Sequence, residues 1–100
     1  MKIAILGFAG SGKSTLAQTL GKITGAPVLH LDTVQFLPDW EVRDMAEKQR
    51  MVEDFLDSHL SWIIDGNYRK LSYERRLAEA DQIWILLFGR IARFSRVCRR

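Results

Sequence analysis

The chain has 100 residues, of which 47% are hydrophobic and 27% are charged, a balance typical of one small folded domain. Its formal net charge of +3 arises at the C-terminus, because the last eleven residues contain five arginines and no acid, whereas the remainder carries ten basic and twelve acidic side chains. This distribution excludes a basic surface spread over the whole molecule. The single cysteine, Cys98, excludes an intrachain disulfide and a cysteine-based zinc cluster, and favours a reducing, cytoplasmic location.

The first half of the chain predicts a strand, a helix and a second strand. Residues 2–6 form an apolar run closed by Gly7, which is typical of a strand buried on both faces. Residues 14–24 place apolar side chains at helical spacing and are followed by Gly25, a usual residue at a helix C-terminus. Residues 27–31 predict a strand that ends at Asp32.

The second half continues the alternation. Asp44 is a predicted N-cap for an amphipathic helix from Met45 to about Leu60, and residues 62–64 predict a third strand. Residues 68–80 are expected to be partly helical, and residues 82–88 predict a fourth strand. We therefore expect one α/β domain over residues 1–100, with about four parallel strands joined by right-handed crossovers and flanked by helices.

No membrane-spanning segment is expected. The apolar run over residues 83–88 is far shorter than the roughly 20 residues that a spanning helix needs. Glycines and Lys13 interrupt the N-terminal apolar run before the hydrophobic region of a signal peptide can form.

A phosphate-binding motif lies between the first strand and the first helix. Residues 7–14 satisfy the pattern G-x-x-x-x-G-K-S/T, which predicts a three-layer P-loop NTPase fold. Lys13 is expected to contact the β- and γ-phosphates of a nucleoside triphosphate, and the Ser14 hydroxyl to ligate Mg²⁺. The glycine spacing does not fit the dinucleotide motif G-x-G-x-x-G. The predicted phosphate-binding residues are Gly7, Ala9, Gly10, Ser11, Gly12, Lys13, Ser14 and Thr15.

Two carboxylates follow predicted strands, at the edge of an open α/β sheet where ligands bind. Asp65 is a candidate ligand of Mg²⁺ or of its bound water, and the alternative is an ordinary turn aspartate before Gly66. Asp32 is a candidate for binding an acceptor hydroxyl or acting as a base, and the alternative is a helix-cap or turn role. His30 is interpreted as a packed strand residue rather than a catalytic one.

The C-terminal arginines recur at helical spacing, with Arg93, Arg96 and Arg100 on one face. Three interpretations fit: guanidinium groups that neutralise a transferring phosphoryl group, a solvated basic helix end, or a patch that binds a nucleic-acid backbone. Under the first interpretation, Arg93 and Arg96 are candidate catalytic residues in addition to Lys13, Asp32 and Asp65. Trp62 and Trp84 are expected in the core, whereas Trp40 fits a core or an acceptor-pocket position equally.

The phosphate loop, the Leu31-Asp32 pair, residues 62–68 (Trp-Ile-Ile-Asp-Gly-Asn-Tyr), residues 80–84 (Ala-Asp-Gln-Ile-Trp) and the arginines that follow resemble the bacterial DNA topology modulation proteins, within the adenylate-kinase-like P-loop kinases. The resemblance implies ATP binding and a small-molecule or nucleotide kinase activity. It matches Asp65 to the strand-three aspartate and the arginines to lid arginines. Relatives continue past this point into another helix, a fifth strand and an adenine-binding loop. We therefore expect either a fragment that is incomplete at its C-terminus or a reduced protein whose nucleotide pocket is incomplete.

Two functions from different classes follow. The first is a kinase that transfers the γ-phosphoryl group of MgATP to an unknown small-molecule or nucleotide acceptor. The second is a non-catalytic nucleotide- or DNA-binding module that uses the C-terminal arginines. A GTPase is disfavoured because no Asn-Lys-x-Asp segment is present. An unpaired edge at the fourth strand would favour a homodimer.

Overall fold

A five-stranded β-sheet forms the centre of the computed structural model, which describes residues 1–7, 12–35, 44–68, 72–87 and 90–95. The elements in chain order are β1 (Lys2–Gly7), α1 (Lys13–Thr24), β2 (Val28–His30), α2 (Leu31–Gln35), α3 (Met45–Ser58), β3 (Trp62–Asp65), α4 (Tyr73–Glu79), β4 (Gln82–Leu87) and β5 (Arg90–Ser95).

The strand order in the sheet is β2-β3-β1-β4-β5. The first four strands are parallel, and β5 pairs antiparallel with β4. The chain passes from β1 outward to β2, returns through β3, and then crosses to β4 on the other side of β1. Ligands of open α/β sheets bind where the strand order reverses in this way, beyond the carboxyl ends of the strands. The predicted α/β fold with four parallel strands is confirmed, and it is compatible with a P-loop NTPase fold.

Alternating side chains of the central strands pack into two separate cores. Ile3, Ile5 and Ile63 contact Ala17 of α1 on one face of the sheet. Ala4, Trp62 and Ile64 point to the other face, where α2, α3 and α4 supply Leu31, Val34, Val52, Leu56 and Leu77. Both faces of β1 and β3 are therefore buried, which explains why these strands are continuous apolar runs rather than alternating ones.

The helix ends follow the predicted local chemistry. Gly25 has φ 77° after α1, and its N–H donates to the carbonyl of Gly21 at 2.8 Å. Asp44 caps α3, because its Oδ2 accepts from the N–H of Ala46 at 3.1 Å. That helix ends at Ser58, two residues before the predicted Leu60. In the described part of the chain, no helix combines the length and apolar character needed to cross a bilayer.

The prediction of a strand through Leu31 is wrong at its end. β2 stops at His30, and Leu31 begins α2, so Asp32 lies in the first turn of a short helix. The Thr33 hydroxyl donates to the His30 carbonyl at 2.6 Å, a local bond that competes with continued strand pairing. Leu31 is fully buried. The helical turn thus places Leu31 in the core and leaves Asp32 exposed at the sheet edge.

The helix expected at the C-terminal arginines is not formed over residues 90–95. These residues are β5, which pairs with β4 from Leu87↔Arg90 to Gln82↔Ser95. Pairing with β4 satisfies the backbone hydrogen-bonding groups of β5, and the spacing of the arginines along the chain gives no sign of that pairing. The edge of β4, where an unpaired strand would favour a homodimer, is covered by β5. Arg96 and Arg100 lie outside the described residues.

Candidate functional site

The described part of the predicted phosphate loop consists of its two ends. Gly7 ends β1 with φ 149°, and Gly12 precedes α1 with φ 93°, a value that favours glycine. The Gly12 carbonyl accepts the first helical hydrogen bond, from the N–H of Leu16 at 2.9 Å. The predicted contacts of Ala9, Gly10 and Ser11 fall outside the described residues and stay predictions.

The N-terminus of α1 is suited to an anion. Its first turn contains no acidic residue, and Lys13 occupies the first helical position. The positive end of the helix dipole and the Lys13 ammonium group both favour an anion at that end. Lys13 is half-buried, whereas Ser14 and Thr15 are exposed and present their hydroxyl groups in the same turn. These residues fit the phosphate groups of a nucleotide, and the Ser14 hydroxyl is a suitable oxygen ligand for Mg²⁺.

A cleft of about 310 Å³ at the carboxyl ends of the strands brings together three of the predicted site residues that the structure describes, Gly7, Lys13 and Asp32. The segment after β3 contributes three more lining residues. The residues that line it are Gly7, Lys13, Asp32, Gly66, Asn67 and Tyr68. A larger cleft of about 580 Å³ lies between α3 and α4, and its walls include Glu53, Glu74 and Arg75, but none of the predicted site residues that the structure describes. The smaller cleft is therefore the candidate site.

Asp65 ends β3, is 2% exposed and is not among the described residues that line this cleft, although its neighbour Gly66 is. Its Oδ2 contacts Nδ1 of His30, the residue directly beside it in the register of β2 and β3. Burial raises the pKa of the Asp65 carboxyl, while the hydrogen bond from His30 and the positive charge of Lys13 oppose that rise. The interpretation of His30 as a packed strand residue is incomplete, because its ring is only partly buried and orients the buried carboxyl.

Asp32 has a hydrogen-bond partner that the sequence did not indicate. The Tyr68 hydroxyl donates to Asp32 Oδ1 at 2.5 Å. Burial, and then this hydrogen bond, raise the pKa of Tyr68 to about 12. The phenol is therefore protonated at neutral pH and holds the carboxylate of Asp32 at the cleft, where it can accept a further hydrogen bond from a ligand hydroxyl.

Two more residues that sequence reasoning did not assign to the site lie after β3, Asn67 in the connecting segment and Arg76 in α4. Asn67 bonds with both polar atoms of its side chain to the backbone of Gly7. Arg76 is fully buried in α4 and donates to the carbonyls of Gly66 at 3.2 Å and Tyr68 at 2.8 Å. Burial lowers the pKa of Arg76 to about 10. Asn67 is the sole asparagine of the chain and follows Asp65-Gly66, a signal that could have drawn attention to it.

The structure does not bring Arg93 to the cleft. Arg93 lies on β5, and its guanidinium carbon is 5.7 Å from the centre of the Trp84 ring, a cation–π contact. It is absent from the described residues that line the cleft. Trp62 is fully buried and Trp84 partly buried against the core, as predicted. Arg96 and Trp40 lie outside the described residues.

Comparison with known proteins gives one short similarity. No family model matches the chain. A segment of 31 residues is 61% identical to shikimate kinase of Flavobacterium johnsoniae, and this segment is 31% of the chain and 18% of the relative. The chain therefore matches less than a fifth of that relative. The match supports a P-loop kinase-like relationship and, in general terms, a nucleotide ligand.

Proposed function

We propose that this protein is a P-loop kinase that transfers the γ-phosphoryl group of MgATP to a hydroxyl group of a small molecule or nucleotide. The observation that carries the proposal is one cleft lined by Lys13, at the N-terminus of α1, and by the hydrogen-bonded pair of Asp32 and Tyr68. Lys13 suits the phosphates, and Asp32 suits a hydroxyl. As a finer assignment, we propose that the protein is related to the DNA topology modulation proteins, which residues 62–68 resemble.

The phosphate side uses the residues of the loop and of the first helical turn. Backbone N–H groups of the loop that follows Gly7 would surround the β- and γ-phosphates, and Lys13 would neutralise their charge. Ser14 and Asp65 would hold Mg²⁺, which when bound neutralises charge on the phosphate oxygens. The pair of His30 and Asp65 supports this role, because it fixes the orientation of the carboxyl group before a ligand arrives.

The acceptor side uses Asp32 as a base. The acceptor oxygen forms a bond to the γ-phosphorus, the bond from that phosphorus to the oxygen bridging to the β-phosphate breaks, and ADP leaves with the bonding electrons. The hydroxyl proton moves to the carboxylate of Asp32, whose position is set by the hydrogen bond from Tyr68. The proposal does not require Arg93 or Arg96 in the cleft.

The first experiment is calorimetric titration of the chain with MgATP, together with Lys13→Ala. We expect this variant to weaken binding by about tenfold or more, which corresponds to roughly 1.4 kcal/mol, because the charge opposite the phosphates is lost. Lys22→Ala is the matched control, since Lys22 lies in the last turn of the same helix. Wild-type affinity retained in Lys13→Ala, or no binding of MgATP by the folded wild type, contradicts the proposal.

A further inference from the structure

Asn67 makes a two-point contact with the first residue of the phosphate loop. The Gly7 N–H donates to Asn67 Oδ1 at 3.1 Å, and Asn67 Nδ2 donates to the Gly7 carbonyl at 2.8 Å. Nothing in the proposed transfer step uses Asn67, although it lines the cleft.

The contact extends the hydrogen bonding along β1 beyond the last residue of β3. Their register ends at Ile5↔Asp65, and the N–H of Gly66 still donates to the Ile5 carbonyl at 3.0 Å. At Gly7 the backbone of the β3 side has turned away, and the side-chain amide of Asn67 supplies the donor and acceptor that a strand would have supplied.

The backbone on both sides of Asn67 is fixed independently of the loop. Buried Arg76 donates to the carbonyls of Gly66 and Tyr68, the two neighbours of Asn67 in the chain. The amide therefore reaches Gly7 from a segment that α4 already holds in place. A rigidly held group of this kind reduces the entropy that a loop must lose when it orders around a ligand.

We propose that Asn67 is a positioning residue, which sets the peptide groups at Gly7 in the orientation that lets the phosphate loop receive a triphosphate. This inference rests on the proposed function. It requires both halves of the amide, since a group that only accepts would leave the Gly7 carbonyl without its donor and place two acceptors against each other.

Asn67→Asp tests this requirement within a single protein. The ionised carboxylate can accept from the Gly7 N–H but cannot donate, whereas the protonated acid has the donor and acceptor pattern of the amide. We expect MgATP to bind about tenfold more weakly than to wild type at pH 8. The ratio of the two dissociation constants should fall by about threefold or more between pH 8 and pH 4, because a carboxyl group with an ordinary pKa near 3.9 is about half protonated at the lower pH.

Two further variants separate this effect from others. Asn67→Ala carries no charge, so weaker binding in that variant reports the lost hydrogen bonds and not repulsion of phosphate. Gln82→Glu makes the same amide-to-carboxylate change at the first residue of β4, at the edge of the sheet away from the cleft, where the side chain accepts from Trp84 Nε1. The ratio of its MgATP dissociation constant to that of wild type should stay near one at every pH. Thermal unfolding of each variant, recorded without ligand, establishes that the proteins titrated are folded.

The outcomes distinguish the inference from the function on which it rests. If Lys13→Ala abolishes MgATP binding but both Asn67 variants retain wild-type affinity, the inference alone is overturned. The same holds if the ratio of the MgATP dissociation constants of Asn67→Asp and wild type does not change with pH. Unfolding of both Asn67 variants assigns the residue a purely structural role and also overturns it. Absence of MgATP binding by the wild type overturns the proposed function and the inference together.

Discussion

Tyr68 donates its hydroxyl hydrogen to Asp32 Oδ1 at 2.5 Å, and this bond joins the segment after β3 to the first turn of α2. The two residues are 36 positions apart in the chain. Their contact defines the acceptor side of the cleft, because it fixes the carboxylate that we propose as the base. It also makes the stability of the protein depend on the ionisation of a tyrosine.

We expect Tyr68→Phe to reveal this dependence at alkaline pH. The folded pKa of about 12 lies above the ordinary value of 10, so the folded state keeps a proton that the unfolded state loses. The stabilisation is complete below pH 10 and is lost as the pH rises from 10 towards 12. Urea unfolding at several pH values should show a gap between wild type and variant that is constant from pH 8 to about pH 10 and narrows above it. A gap that widens there contradicts the assignment.

Asp32→Asn should separate chemistry from nucleotide binding. The amide cannot take the acceptor proton, so we expect phosphoryl transfer to fall by about a hundredfold or more, while the affinity for MgATP stays within about twofold. The measurement is product formation with an acceptor found by screening, alongside calorimetry. Asp54→Asn is the control, because Asp54 is exposed on α3 and does not line the cleft. Equal transfer rates for wild type and Asp32→Asn would exclude Asp32 as the base.

Gly66→Ala should destabilise the fold at the junction between β3 and the cleft. Gly66 has φ 134°, and an added Cβ would lie 2.7 Å from the Cβ of buried Leu31. We expect a loss of about 2 kcal/mol or more in the free energy of unfolding, from backbone strain and the clash together.

The matched control for that variant is Gly25→Ala. Gly25 also has positive φ, 77°, but nothing lies within 4 Å of the added Cβ. Only the conformational cost remains there, and we expect a loss of about 1 kcal/mol. Denaturant unfolding of both variants gives the comparison. Equal losses at the two positions would show that the contact with Leu31 is not a constraint.

Arg76→Met should destabilise the segment that carries Asn67 and Tyr68. The variant removes a buried cation and leaves the carbonyls of Gly66 and Tyr68 without these donors, for an expected loss of about 2 kcal/mol. Arg75→Met, one residue earlier, breaks the more exposed ion pairs with Asp57 and Glu79, and we expect a loss below about 1 kcal/mol. Urea unfolding measures both losses. A larger effect at Arg75 would reverse the order that burial predicts.

The sequence determined those features that depend on local chemistry and periodicity. The apolar runs at β1 and β3, the cap at Asp44 and the end of α1 at Gly25 were predictable, because each depends on residues within a few positions of one another. Lys13 and Ser14 were identifiable for the same reason, since the phosphate motif is a continuous stretch of chain.

Tertiary structure decided the rest, because the decisive contacts join distant parts of the chain. The arginines from Arg90 have helical spacing, yet pairing with β4 makes them a strand. Asp32 lies in a helical turn instead of at the end of the predicted strand, and the same turn places Leu31 in the core. The bonds of Asn67 to Gly7 and of Tyr68 to Asp32 span 60 and 36 positions. No local pattern encodes such bonds, which exist only once the parallel sheet has brought the carboxyl ends of its strands to one edge.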